Sequence, residues 1–182
     1  MHQSTLVPIL ETDRLLLRGH HADDFQDSAA MWADEEVVAR ISGIPSTSEQ
    51  TWARLLRYSG HWYHLGFGYW VVESKADGSF IGEVGFGNFR RDTEPSLAGT
   101  PEAGWVLNRR SHGKGYATEA VTAMLAWADE NLDCSHTAAM FDPTHAASLN
   151  VAKKVGYSNE VIGRYGNKEV LFLKRKRRSS DS

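Results

Sequence analysis

Apolar and polar positions divide the chain into short runs of two different periods. Leu15, Leu16 and Leu17 form an apolar run between Arg14 and Arg18, which predicts a first strand. Asp23 and Asp24 supply a helix start, and a helix is expected to about Ala33. Pro45 closes a loop, and Thr47 or Ser48 caps a second helix. That helix carries Trp52, Leu55, Leu56 and Tyr58 and is expected to fade near Gly60. Two strand-like runs, residues 68–74 and 80–89, flank a turn at residues 76–79 and read as a hairpin. A polar loop with Pro95, Gly99 and Pro101 then leads to a strand at residues 102–107. Beyond it the period changes. Ala117, Ala120, Val121, Met124, Leu125, Ala128 and Leu132 mark one face of an amphipathic helix. Residues 136–141 read as a strand, and a short helix carrying Val151, Ala152 and Val155 stops at Gly156. Residues 158–164 and 168–173 close the chain as a hairpin around Gly166. The order β, α, α, β, β, β, α, β, α, β, β predicts an α/β (mixed α+β) domain, a mixed sheet with helices packed on its faces.

Composition narrows the class. A length of 182 residues fits one domain. With 41% hydrophobic and 24% charged residues, a core can form without metal or disulfide staples. A net charge of −3 argues against a general nucleic-acid binder. The single cysteine, Cys134, excludes an internal disulfide and a Cys-rich zinc site, and reads as a small buried residue. The pairs His20–His21 and His61 with His64 lack acidic or cysteine partners, so no metal is expected. No apolar run approaches the roughly 20 residues needed to span a bilayer, and residues 1–14 lack a secretion-signal pattern. A soluble, cytoplasmic protein is the expectation. Lys174 to Arg178 form a basic run, read here as the start of a solvated tail, which sets a domain at 1–173 and a tail at 174–182.

The chemistry concentrates between residues 108 and 120. Gly113 and Gly115 let the backbone bend so that successive N–H groups converge, and the helix that follows adds its unpaired N-terminal amides and dipole. Together these suit a phosphate or pyrophosphate, with Arg109, Arg110 and Lys114 as added cations. The spacing is neither a P-loop, because Lys114 is followed by Gly115, nor a dinucleotide fingerprint, because no third glycine follows. The alternative is an ordinary strand-to-helix turn. Gly82, Gly85 and Gly87 lie within a strand and read as close backbone approaches.

The segment RRSHGKGYATEA resembles the coenzyme A pyrophosphate loop of GNAT-type N-acetyltransferases, R/Q-x-x-G-x-G/A, with Arg110, Gly113 and Gly115 on the pattern. EAGWVL resembles the strand before that loop, SLNVAKKVGY the later family helix, and ETDRLLLR the opening strand of the RimJ/RimL branch. The resemblance implies a V-shaped, mostly antiparallel sheet of six to seven strands with about four helices. The strands at 102–107 and 136–141 would splay, and the pantetheine of acetyl-CoA would pair with the freed edge. An N–H near Val106 or Leu107 would then meet the thioester oxygen. Cofactor contacts are implied for Trp105, Val106, Leu107, Arg109, Arg110, His112, Gly113, Lys114, Gly115, Tyr116, Ala117, His145 and Ser148. Two positions depart from the family: His145 stands for the usual asparagine, and Lys153 for an acidic residue.

Acetyl transfer requires a neutral amine and a polarised carbonyl. Glu102, at the start of the cofactor strand, is the first candidate base, acting through water, and Glu83 the second. If both carboxylates face one cleft, repulsion would raise one pKa. Ser148 either bonds the thiolate or caps its own helix. Tyr157 reads as core. The aromatics between residues 52 and 70 read mostly as core; the alternative is that Trp62, Tyr63 or Tyr69 lines the acceptor side. The expected partner is an amine, either a protein N-terminus or a small molecule, on a monomer or homodimer without nucleic acid or membrane. A non-catalytic acetyl-CoA sensor is the alternative.

Overall fold

Leu15 and Leu17 are fully buried while Leu16 and Arg18 are only half-buried, so the opening run forms a strand, β2 (Leu15–Arg18), behind a two-residue β1 (Leu10–Glu11). The computed structural model describes residues 7–178. The remaining strands are β3 (Tyr69–Ser74), β4 (Phe80–Gly87), β5 (Thr93–Glu94), β6 (Glu102–Leu107), β7 (His136–Phe141), β8 (Ser158–Tyr165) and β9 (Lys168–Lys176). All nine join one sheet in the order β1-β2-β3-β4-β6-β7-β9-β8-β5. The pair β6–β7 is parallel, and the other pairs are antiparallel. The helices are α1 (Phe25–Ala33), α2 (Glu35–Val38), α3 (Ser48–Leu65), α4 (Tyr116–Asn131) and α5 (Ala146–Lys154). The architecture is the mixed α/β domain expected, with two-residue strands at β1 and β5 raising the strand count above six or seven.

The functional consequence lies in one pair. β6 and β7 meet only at Glu102 with Ala138 and at Ala103 with Ala139. Past that point β6 keeps its full antiparallel register with β4, from Gly82 opposite Leu107 to Gly87 opposite Glu102. Its other edge is open. One side of the sheet carries the main core, where Trp105, Leu107, Val84, Phe86 and Trp70 pack with Val121, Met124 and Leu125 of α4. On the opposite side Val106 meets Met31, Trp32, Val37 and Val38 from α1 and α2.

Three expectations change. α3 does not fade at Gly60 but runs to Leu65, ending at Gly66 with φ +72°. Its second half is fixed by packing: Trp62 is buried and donates its indole N–H to the Tyr69 carbonyl at 2.9 Å. That anchorage outweighs the cost of about 1 kcal/mol for a mid-helix glycine. The start is the expected one, with Thr47 and Gln50 capping each other's amides. A second change is α2, four residues that show too little periodicity to be read from sequence. The third is the C-terminal boundary. Lys174, Arg175 and Lys176 belong to β9 rather than to a tail, and residues 179–182 lie outside the described residues.

Arg175 explains why the basic run folds back. It is buried and grips Asp129 of α4 with two bonds of 2.8 and 2.6 Å, while its Nε donates to the Val155 carbonyl. Arg177 and the Arg178 amide reach the same helix turn. These bonds outweigh the burial that would raise the Asp129 carboxyl, and hold it below its ordinary range. Arg175→Met strands a partly buried carboxylate and should cost about 3 kcal/mol, read as a lowered midpoint in urea unfolding at pH 7.

Candidate active site

The loop after β6 is built from two turns. Asn108 caps a single 3₁₀ turn, its side-chain oxygen accepting from the Ser111 amide at 3.0 Å, while its amide group donates to the Phe80 carbonyl. Gly113 and Gly115 then adopt φ of +73° and +79°, the left-handed region that glycine enters without strain. Gly115 is the N-cap of α4, so the amides of the helix's first turn face out of the loop. The space around Gly113 is open, since a Cβ there would meet nothing within 4 Å.

These amides open onto a cleft of about 350 Å³. Trp105, Val106, Leu107, His112, Gly113, Gly115, Tyr116 and Ala117 form one wall, and His145 and Ser148 of the α5 start form the other. Val37 and Ile41 cover it from the α2 side. The open edge of β6 runs along the cleft. Asn108 donates its N–H to the Ile81 carbonyl, so by alternation the Val106 amide faces β4, while Trp105 and Leu107 turn theirs to the open side. Of the two amides anticipated for the thioester oxygen, the alternation selects Leu107. Its carbonyl is already taken by His112 Nε2 at 2.9 Å. Trp105 leaves its buried indole N–H without a partner. An extended chain with acceptors along its length and a diphosphate at one end fits this donor set.

Not every predicted residue joins the cleft. Arg109 pairs with Glu36 and Asp34 near α2 and lies outside the cleft lining. Arg110 and Lys114 are exposed and lie outside the lining. Ser148 Oγ sits 3.4 Å from His145 Nε2 rather than on its own helix backbone. Burial holds the His145 imidazole below its ordinary pKa, against the opposing pull of Asp142. Tyr157 is core, as read from sequence, its hydroxyl 2.7 Å from Thr137 Oγ1. Burial pushes the Cys134 thiol up, away from reactivity. A clamp that the sequence reading missed braces the loop from behind. Arg14 Nη1 donates to the Lys114 carbonyl at 3.0 Å, and Glu119 receives Arg14 Nε and the Thr12 hydroxyl.

The two candidate carboxylates separate in role. Both lie on the same side of the sheet, but four residues apart in register, or about 13 Å. Mutual repulsion therefore does not tune them. Glu83 is fully buried, with Ser28 Oγ at 2.7 Å, Trp32 Nε1 at 2.9 Å and His20 Nε2 at 3.3 Å. Burial pushes its carboxyl up, but these bonds prevail and its pKa falls below the usual value, opposite to the rise expected of a base. Glu102 lies at the apex of the fork, where its carboxylate receives Arg91 Nε at 3.0 and 3.2 Å. It opens onto a second cleft of about 480 Å³, lined also by Phe89, Arg91, Leu97 and Thr100. Of the aromatics expected near the acceptor, Trp62 is buried against Trp70 and Trp127, Tyr63 is exposed on α3, and Tyr69 reaches the β6 backbone.

Residues 14–158 match the acetyltransferase (GNAT) domain family, and the chain belongs to it. It is an acyltransferase of that family. YkkB of Bacillus subtilis strain 168, itself uncharacterised, is 28% identical over 92% of this chain and 95% of its own. A GNAT-family acetyltransferase structure from Bordetella pertussis is 28% identical, with a TM-score of 0.80 over 92% of this chain and 99% of its own. An acetyltransferase from Agrobacterium tumefaciens is 26% identical, with a TM-score of 0.81 and 96% coverage of both chains. The fold is shared more distantly with RimL, the ribosomal L7/L12 acetyltransferase solved with coenzyme A, at 13% identity and a TM-score of 0.74 over 93% of this chain and 98% of its own. No helix among the described residues is long and apolar enough to cross a membrane.

Two outcomes follow. Glu83→Gln replaces an acceptor with a donor facing Ser28 and Trp32, and should cost about 1–3 kcal/mol at neutral pH. Because the folded carboxyl titrates below the unfolded one, its contribution is full above roughly pH 4–5 and is lost as pH falls through the folded value. The variant's unfolding midpoint should therefore vary less with pH in that acid range than that of the wild type. Gly113→Asp places a side chain and a negative charge on a left-handed turn among the free amides, and should weaken coenzyme A binding at least about tenfold by calorimetry.

Proposed function

We propose that the protein transfers the acetyl group of acetyl-CoA to a primary amine by direct attack within a ternary complex. The observation that carries this reading is adjacency: the glycine turns and helix amides at one end of the cleft lead along an open strand edge to a fork with a carboxylate at its apex. GNAT acetyltransferases use acetyl-CoA, and this donor set suits each part of it. The amides of residues 115–118 and the dipole of α4 hold the diphosphate. The open edge at Trp105 and Leu107 pairs with the pantetheine, and the Leu107 N–H polarises the thioester carbonyl. His145 and Ser148 stand on the facing wall. Bound acetyl-CoA supplies an activated acetyl carbon, and the chain's residues orient it and accept the proton.

Glu102 is the base in this reading. It borders the second cleft on the face of β6 away from α4, and it takes the amine's proton through water. Glu83, sealed by three donors, holds α1 against the sheet instead. The acceptor is an amine, a protein N-terminus or a small molecule. RimL and a spermidine acetyltransferase, both sharing the fold, represent those two acceptor types.

Thiol release from acetyl-CoA across an amine panel tests the reaction, and initial-rate lines that intersect rather than run parallel identify the ternary complex. Glu102→Gln should lower kcat by about 10²–10⁴-fold while acetyl-CoA affinity by calorimetry stays at the wild-type value. Tight binding with no turnover on any amine would favour a sensor instead.

A further inference from the structure

Gly104 is the first residue of β6 beyond the last pair with β7, so it stands at the apex of the fork. On one side of the sheet its side-chain space is filled by another residue. A Cβ at Gly104 would overlap the Tyr69 hydroxyl, with Tyr69 Cζ at 3.3 Å. Tyr69 reaches across β4 from β3, where it lies opposite Gly85. Two glycines in register, Gly85 and Gly104, thus clear a path for one phenol to arrive at the fork. The ring is held by a parallel stack on Tyr58, with centroids 4.1 Å apart and planes at 5°. Tyr58 is itself tilted against His20, which touches Glu83.

The hydroxyl is placed but not consumed by the fold. No hydrogen bond among the described residues reaches it, although the ring is buried. Glu102 lies two residues from Gly104 and on the same face of β6, so hydroxyl and carboxylate flank the apex together. Burial raises the Tyr69 pKa, with the Glu102 charge adding to the effect, so the group stays a neutral hydroxyl throughout the working range.

We propose that the Tyr69 hydroxyl is a catalytic hydrogen-bonding group that holds the acceptor amine at the fork. This rests on the acetyl-transfer reading above. The Tyr69 oxygen accepts one amine N–H, which fixes the nitrogen lone pair toward the thioester carbon. The nitrogen then bonds that carbon, the C–S bond breaks, and its electron pair leaves on sulfur. The proton shed by nitrogen passes through water to Glu102, and solvent protonates the thiolate. Tyr69 neither gains nor loses a proton.

Substitutions at the two touching residues test the role. Tyr69→Phe keeps the stack on Tyr58, so the melting midpoint and acetyl-CoA affinity should stay close to wild type. Its kcat/KM for the acceptor should fall about 10–100-fold, with the pH dependence of kcat retained because Glu102 remains. Gly104→Ala should lower the melting midpoint by forcing the hydroxyl aside. Combining it with Tyr69→Phe removes the overlapping oxygen and should restore much of the midpoint without restoring activity. Wild-type kcat/KM in Tyr69→Phe, or recovery of activity along with stability in the double variant, would overturn the proposal and leave acetyl transfer standing. Absence of thiol release by the wild type on every amine would instead remove the transfer reading, and this role with it.

Discussion

The pairing that β6 and β7 fail to complete is the constraint on which the site depends. A parallel strand pair in a sheet interior normally uses every amide, since a buried unpaired group costs about 1–3 kcal/mol. Here the ladder stops after two residue pairs. On the α4 side Trp105 and Phe141, which would approach each other in a continued ladder, lie tilted with centroids 5.1 Å apart, and Tyr157 is 6.5 Å from Trp105. On the other side the Tyr69 phenol occupies the space above Gly104. The fork is thus lined by aromatic rings on both faces. It leaves the Trp105 and Leu107 amides to an extended guest, the geometry of strand addition.

The scaffold around the fork divides into firm and soft contacts, and magnitudes assign them. Glu83 with Ser28 and Trp32 is a buried, and Asp129 with Arg175 a partly buried, multiply bonded carboxylate. Breaking either is costly, so α1 and the end of β9 are firmly tied to the sheet. The contacts across the cleft mouth are of another kind. Arg109 pairs with Glu36 on one lip, with side-chain exposures of 57% and 70%, and Arg40 bonds Thr144 on the other. Exposed pairs of this sort contribute about 0–1 kcal/mol. The α2 segment that carries Val37 and Ile41 over the cleft is held to the sheet by the buried Val37 and Val38, and its polar links across the mouth add little.

Where a segment's structure follows from its own period or turn chemistry, it was legible in the sequence. β6, β7 and α4 emerged with their observed positions because alternation and the 3.6 repeat are local. The glycine turn at 113–115 was legible for the same reason, and with it most of the cleft wall. What failed was decided by distant partners. Arg109 adjoins the loop, but the partners its side chain finds, Asp34 and Glu36, stand more than seventy residues away. Glu83 and Glu102 were two candidate bases expected to repel each other if they shared a cleft, until the β4–β6 register set them four residues apart. Arg175 looked like tail until Asp129 of α4 gave it a partner and it became buried. Charge carries no local signal of where its counter-charge will be, so ion pairs are the part of a site that sequence reads worst. Tyr69 is the opposite case: an aromatic in a cluster is legible as core, but the hydroxyl's destination depends on two glycines on other strands.

The two faces of β6 divide the chemistry, and protonation shows why that separation matters. An amine must be neutral to attack. At pH 7 deprotonation costs about 4–5 kcal/mol for a lysine-like amine and about 1 kcal/mol for an α-amine. The diphosphate cradle needs positive potential from α4 and its loop, which would also favour a base in its charged form but repel an incoming ammonium. Glu102 borders the second cleft, on the face away from α4, so in the proposed reaction the proton acceptor lies outside that cradle. Arg91 neutralises Glu102 at rest, so the buried carboxylate incurs no unpaired-charge penalty before substrate arrives. In the proposed reaction the sheet thus separates two electrostatic requirements, the diphosphate cradle at the α4 end of β6 and the carboxylate near the fork.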